Sequence, residues 1–307
     1  MAGPRFLLTG ATGFLGSHVL AALQARRVET WALCRRTPTD FPPERWATLH
    51  NIADLDAMRQ AITSAAPDVI LHAAGAAVGS TNEIYAANTV LGATLLAAAA
   101  ETAPHARIVL TGSAAECGFV SPECLPVTEE TPPKPRDAYG ISKLAQTFHA
   151  LAALERGQSV VVARLFNFIG PGMPAHLALG SFGRQLAAMP PSGGTLKTGN
   201  LSGERDFLPV DDVVNSLLAL AEHPVAVGVV NICSGQPLLM RDVVTEMLRH
   251  CPFPVTLQEQ PERLGVTSVK RHFGSPAKLH ALGIHPAAPD LPAMMKNFMA
   301  AFFAKAQ

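Results

Sequence analysis

Short, nearly uninterrupted apolar runs alternate along the chain with longer stretches in which apolar positions recur every three or four residues. The runs are RFLLT (5–9), ETWALC (29–34), DVILHAA (68–74), RIVLTGS (107–113) and SVVVARLF (159–166). Continuous apolarity of this length predicts strands buried on both faces. Between them, 14–25, 54–66, 84–103 and 139–156 carry the helical period. Strand–helix alternation predicts a parallel sheet with crossover helices on both faces.

After Phe168 the pattern changes. IGPGMPAHLALG and MPPSGGTLKTGN are rich in Pro and Gly and read as loops. VGVVNICSG (227–235) reads as a further strand returning to the main sheet. MRDVVTEMLRHC reads as a helix, followed by Pro-punctuated segments. The expected organisation is a sheet domain over 1–168, rejoined by 208–232. A small α/β lobe would comprise 169–207 and 233–307.

Composition narrows the class. Of 307 residues, 48% are hydrophobic and 16% charged, enough apolar material for a sizeable core. The formal net charge of zero argues against nucleic acid, which needs a broad cationic face. Five cysteines with no C-x-x-C pair suggest reduced thiols and a cytoplasmic protein. No signal peptide and no membrane segment are expected, and the Ala-rich GATLLAAAAETA reads as a packed helix. The histidines, His176, His223 and His285 among them, lack metal-helix spacing, so no metal is expected. His72 reads as a hydrogen-bonded strand residue, and Asp211 and Asp212 as caps of the helix that follows them.

In TGATGFLG, Gly10, Gly13 and Gly16 stand three apart where the first strand gives way to a helix. Glycine lets the backbone approach a pyrophosphate, and the following helix offers free N–H groups and a partial positive charge. Cys34 ends the second strand and Arg35 and Arg36 follow it. An acidic residue there would suit the ribose 2′-hydroxyl of NAD(H), whereas arginines suit a 2′-phosphate, so NADP(H) is expected, with NAD(H) as the second option.

Tyr139 and Lys143 lie four apart at the start of a helix and so share a face. A phenol near pKa 10 becomes a useful acid–base group when a neighbouring ammonium lowers it. Ser113 ends the IVLTGS strand, at the sheet edge where open α/β folds bind ligands. Its hydroxyl could hold a carbonyl while Tyr139 moves the proton.

Together these stretches resemble the extended short-chain dehydrogenase/reductases, the NAD-dependent epimerase/dehydratase family. The resemblance runs through TGATGFLG, ILHAAG, GSAAECG, YGISK, RLFNFIGPG, ERDFLPVDDVV and NICSG, and so covers nearly the whole chain. It implies a Rossmann-type doubly wound sheet with a C-terminal substrate lobe, and an oxidoreductase acting on a nucleotide sugar. By that resemblance Ser113, Tyr139 and Lys143 are the catalytic set. Gly10, Thr12, Gly13, Phe14, Leu15, Gly16, Arg35, Arg36, Ala73, Ala74 and Gly75 would line the cofactor, with Tyr139 and Lys143. Asn88, Asn167, Arg184, Arg205 and Arg271, with Ser113, would meet the sugar nucleotide, and Arg263 and Lys270 are further candidates near it. A homodimer through helices 89–103 and 139–156 is also implied.

The resemblance also sorts the reactions. Dehydratases of the family carry acidic residues in the two positions after the serine; here those are Ala114 and Ala115, and Glu116 would point away. The GDP-fucose epimerase-reductases place a cysteine where Ala115 stands. Cys117 replaces a tyrosine common among relatives and would alter the pocket wall. The runs around Asn167 and Arg205 look most like GDP-4-keto-6-deoxy-D-mannose reductases. The expectation is an NADPH-dependent reductase of a nucleotide-diphosphate 4-keto-6-deoxy sugar. The alternatives are a nucleotide-sugar 4-epimerase or a non-catalytic NADP-binding sensor.

Overall fold

The computed structural model describes residues 3–35, 45–260 and 270–303. Seven parallel strands form the main sheet: β1 (Phe6–Thr9), β2 (Thr30–Cys34), β3 (Trp46–Thr48), β4 (Val69–His72), β5 (Arg107–Ser113), β6 (Val160–Leu165) and β10 (Gly228–Ile232). Their spatial order is β10-β6-β5-β4-β1-β2-β3. The chain therefore builds outward from β1 in one direction, then returns and builds from β4 in the other. The crevice between the C-terminal ends of β1 and β4 is where such sheets take ligands.

Alternation within β1 feeds two cores. Phe6 and Leu8 face a cluster containing α1 (Phe14–Ala25) and α7 (Val210–Glu222), while Leu7 faces α2 (Leu55–Ala65), α4 (Leu91–Thr102) and α5 (Ala138–Glu155). Two apolar faces explain why these strands read as continuous rather than alternating. Caps fix the helix starts: Asp54 Oδ1 accepts from the Ala57 amide at 2.9 Å, and Asp137 Oδ1 from the Gly140 amide at 2.8 Å.

The helix expected over 84–103 begins earlier, as α3 (Thr81–Tyr85) capped by Ser80 and Glu83. It runs through a π-helical turn, Ala86–Val90, into α4. This continuous stretch, Thr81–Thr102, is long and apolar enough to cross a bilayer by length and composition. Here α4 packs against α2 and α5 instead.

The Pro/Gly-rich segments hold more structure than expected from their sequence. β7 (Asn167–Ile169), α6 (Ala178–Ala187), β8 (Gly194–Thr198), β9 (Glu204–Pro209), β11 (Pro237–Leu239), α8 (Met240–Arg249), β12 (Val255–Glu259), β13 (Arg271–His272), α9 (Ala277–Ala281) and α10 (Leu291–Phe303) build the rest. β9 is flanked by β11, β13 and β7, and β8 pairs with β12. A third apolar cluster, including Phe182, Leu186, Val243, Met295 and Phe298, joins α6, α8 and α10. Asp211 and Asp212 lie inside the first turn of α7, whose cap position is Pro209. They act on the helix dipole rather than as caps.

Candidate active site

The glycine turn closes on itself. The Gly13 amide donates to the Gly10 carbonyl at 2.8 Å. Gly10 has φ +74°, and a Cβ there would come within 2.6 Å of the Ala74 amide nitrogen on the loop after β4. A Cβ on Gly16 would run into the Gly10 carbonyl, whereas one on Gly13 would meet only that oxygen, at 3.2 Å. Two of the glycines thus make the turn and its packing, and Gly13 keeps the outer surface open. Gly13 is also the N-cap of α1, with no side-chain cap and no acidic residue in the first turn. The first-turn N–H groups of Phe14, Leu15 and Gly16 are left for an anion. The turn fits a dinucleotide pyrophosphate. Leu15 and Gly16 are buried, so what they can offer an anion is backbone.

Thr12 is exposed, Ala73 and Ala74 are half-buried and Gly75 is exposed, so the β1 and β4 loops border one crevice. Cys34 is buried at the end of β2, its thiol against the Ala11 and Thr12 amides, and burial pushes that thiol up. Arg35 is exposed beside it. Arg36 lies outside the described residues, as does Arg263.

Ser113 ends β5 and caps a 3-10 turn, Ala114–Glu116, its Oγ accepting from the Ala115 amide at 3.2 Å. Tyr139 and Lys143 stand on the first turns of α5, which packs on β5 and on that turn. Burial raises the Tyr139 phenol; its hydrogen bond with the Ser113 side chain opposes the rise, and the Glu116 and Asp137 charges add to it. Lys143 is buried, and burial lowers its ammonium to about 8, with Glu116 pulling the other way. Its Nζ donates to the Thr111 carbonyl at 2.5 Å and to Gln146 Oε1 at 2.6 Å. The expected lowering of the phenol by the ammonium is therefore not seen in this arrangement, where Lys143 is turned to those two oxygens and desolvation dominates.

His72 is fully buried, with Nδ1 2.8 Å from Thr9 Oγ1. Burial and the Lys143 charge lower it to about 3, so the ring stays neutral.

Asn88 needs correcting. It sits in the π-helical turn, fully buried, accepting from the Ala76 amide at 2.9 Å. It donates to the Ala76 carbonyl and to Ser142 Oγ, each at 2.9 Å. Every amide atom of its side chain is engaged inside the protein, so it ties the β4 loop to α5 rather than touching a substrate. Cys117 needs correcting too: it is fully buried with Val120, Val127, Phe166 and Cys233, and so lines no pocket wall.

On the lobe side, Asn167 is exposed and donates from Nδ2 to the Asp206 carbonyl at 3.0 Å. Arg205 is half-buried, and desolvation lowers its guanidinium. Arg184 is exposed on α6. Arg271 pairs with Glu204 at 2.7 Å and lies over the Phe273 ring at 4.8 Å. Sequence reasoning missed Asp206. Its buried carboxylate accepts from Ser234 N and Oγ, Gly235 N and Gly274 N at 2.7–3.2 Å. Only its place between Arg205 and Phe207 in a strand hinted at burial.

A family model described as the NAD dependent epimerase/dehydratase family matches residues 6–233. The chain belongs to that family. It is 31% identical over 289 residues to a GDP-6-deoxy-D-mannose reductase of Pseudomonas aeruginosa, covering 90% of each chain. It is 33% identical over 267 residues to a dTDP-6-deoxy-L-talose 4-dehydrogenase (NAD(P)(+)) of Kitasatospora kifunensis, covering 84% of this chain and 82% of that one. The solved structure of RMD from Pseudomonas aeruginosa complexed with NADPH superposes with a TM-score of 0.83 at 26% identity, covering 98% of this chain and 99% of that one. As a member of the epimerase/dehydratase family, the chain is an NAD(P)-dependent oxidoreductase with a Rossmann-type sheet.

Proposed function

We propose that the chain is an NADPH-dependent reductase of a nucleotide-diphosphate 4-keto-6-deoxy sugar. The observation that supports the reading is the hydrogen bond between the Tyr139 and Ser113 side chains at the C-terminal end of β5, with Lys143 one turn along α5 and the open Gly13 turn at the C-terminal end of β1 in the same sheet. The likeness to a GDP-6-deoxy-D-mannose reductase over nine-tenths of both chains supports the sugar class. Cys34 and Arg35 at the end of β2 support NADPH, since no carboxylate stands there to repel a 2′-phosphate.

In this reading Gly10, Gly13 and the α1 N-terminus hold the pyrophosphate, and Ala73, Ala74 and Gly75 border the nicotinamide half. The cofactor supplies a hydride to the ketone carbon. Ser113 Oγ holds the ketone oxygen. As the C–H bond forms and the carbonyl becomes an alkoxide, Tyr139 gives that oxygen its phenolic proton. Lys143, one helical turn along the same face, is the cation that stabilises the resulting phenolate; such contacts commonly tighten only in the substrate complex. Arg205 offers a guanidinium fork to the diphosphate, and Asn167 a second polar contact. Ala114 and Ala115 supply no acid–base group for dehydration.

Purified protein with NADPH and a panel of NDP-4-keto-6-deoxy sugars tests this. Consumption of NADPH with one of them is the expected result. Conversion of UDP-glucose to its C4 epimer without net cofactor turnover would replace the reading with a 4-epimerase.

A further inference from the structure

Glu116 lies directly beneath the proposed centre and has no part in the reaction as described above. Its carboxylate is completely buried. Oε1 accepts from the Ser113 amide at 2.7 Å, and Oε2 meets Arg164 Nε on β6 at 3.4 Å in a buried ion pair. The neighbouring chain is shaped around it: a Cβ on Gly112 would lie 2.9 Å from Oε1 and 2.8 Å from Val162 Cγ1. Buried ion pairs of this kind are costly to desolvate and so are weak evidence for stability.

The titratable and charged groups that interact with it are Arg164 from β6, Lys143 and Tyr139 from α5 and Cys117 on the same turn; beyond them, Asp137 at the α5 cap acts on Tyr139 and His72 from β4 on Lys143. His72 is neutral, and burial keeps the Cys117 thiol protonated. Burial raises the Glu116 carboxyl, while the Arg164 charge, the Ser113 amide and Lys143 oppose that rise, so the pairing with Arg164 is what holds a negative charge beside the proton-transfer pair. A negative charge there favours the ammonium of Lys143 and opposes ionisation of Tyr139.

We propose that Glu116, braced by Arg164, is a positioning residue: it grips the Ser113 backbone and sets the field that keeps Tyr139 a proton donor and Lys143 a cation. This rests on the reductase reading for its purpose, but the field can be measured without substrate. The chain has two tyrosines, Tyr85 and Tyr139, so in a Tyr85→Phe background tyrosinate absorbance reports Tyr139 alone.

Tyr85→Phe and Tyr85→Phe/Glu116→Gln are compared at one alkaline pH where both retain full ellipticity. Glutamine keeps the shape and an acceptor for Ser113 while removing the charge. The expected result is about three-fold or more tyrosinate in the glutamine variant, equivalent to roughly half a pH unit. Equal absorbance overturns the proposal. Should the lone Arg164 charge prevent folding, Glu116→Gln/Arg164→Met removes both charges and is read the same way. If neither variant folds, the pair is a folding element and the proposal falls. Failure of the wild type to oxidise NADPH with any NDP-4-keto-6-deoxy sugar would instead sink the reductase reading and leave the titration result standing.

Discussion

Lys143 donates its ammonium protons to the carbonyl of Thr111, 2.5 Å away across the junction of α5 and β5. That bond anchors a buried cation one helical turn from Tyr139, at the edge where the sheet opens. Tyr139→Phe keeps the ring and its packing and removes only the proton donor. Catalytic rates should fall by roughly 10²–10⁴-fold, the usual size of a general-acid contribution, with a much smaller change in NADPH affinity. Steady-state kinetics beside fluorescence titration of NADPH checks both halves.

Lys143→Met should also abolish turnover. In the wild type, the lowered ammonium near 8 predicts that reduction declines as pH rises through that region, because a deprotonated amine no longer supports the phenolate. A kcat profile flat past pH about 10, the range of an unperturbed lysine, would contradict this.

The three glycines should separate by experiment. Gly10→Ala and Gly16→Ala force a Cβ into backbone atoms and should lower the melting temperature or prevent folding. Gly13→Ala should fold near normally and lose cofactor affinity, because its Cβ projects into the space over the α1 N-terminus. Thermal melts with and without NADPH separate the two effects. A Gly13→Ala protein binding NADPH like wild type would show that the pyrophosphate lies elsewhere.

Acid should weaken the fold through its buried histidines. His72 is lowered to about 3 and His272 to about 4, against 6.5 for the free side chain. The unfolded chain then binds protons that the native one excludes, so stability is full above pH about 6.5 and falls as pH drops toward the folded values. At about pH 5 each histidine should cost on the order of 2 kcal/mol. Urea midpoints at neutral pH and at about pH 5 measure the loss, and His72→Gln should reduce it.

A homodimer is expected through the helices that flank the sheet on the α4–α5 side. Val90, Ile141 and Phe148 are 39%, 42% and 56% exposed there. Phe148→Lys should then shift the protein toward monomer in light scattering. A wild type that is already monomeric at micromolar concentration would rule the interface out.

Six of the seven strands of the main sheet and the helix carrying Tyr139 were legible because they obey one rule each: continuous apolarity for strands buried on both faces, and period 3.6 for the helix; the three-residue β3, Trp46–Thr48, was too short to read. The lobe was harder to read. β8 lies inside a Pro/Gly-rich run, GTLKT, whose pairing with β12 spans some sixty residues of chain, and α10 follows a Pro-punctuated tail. Such strands are stabilised by distant partners, and nothing local announces them.

The sequence by itself determined the alternation of six main-sheet strands with helices, the glycine turn and the spacing of Tyr139 and Lys143. Local sterics and helical periodicity fix those without reference to the rest of the chain. Only the tertiary structure decided where each polar group spends its hydrogen bonds. It turned Asn88 inward to Ala76 and Ser142, sank Cys117 into an apolar cluster and set Glu116 against Arg164 behind Ser113. Burial is a property of the assembled packing, and it alone settles whether a side chain faces a ligand or supports the residue that does.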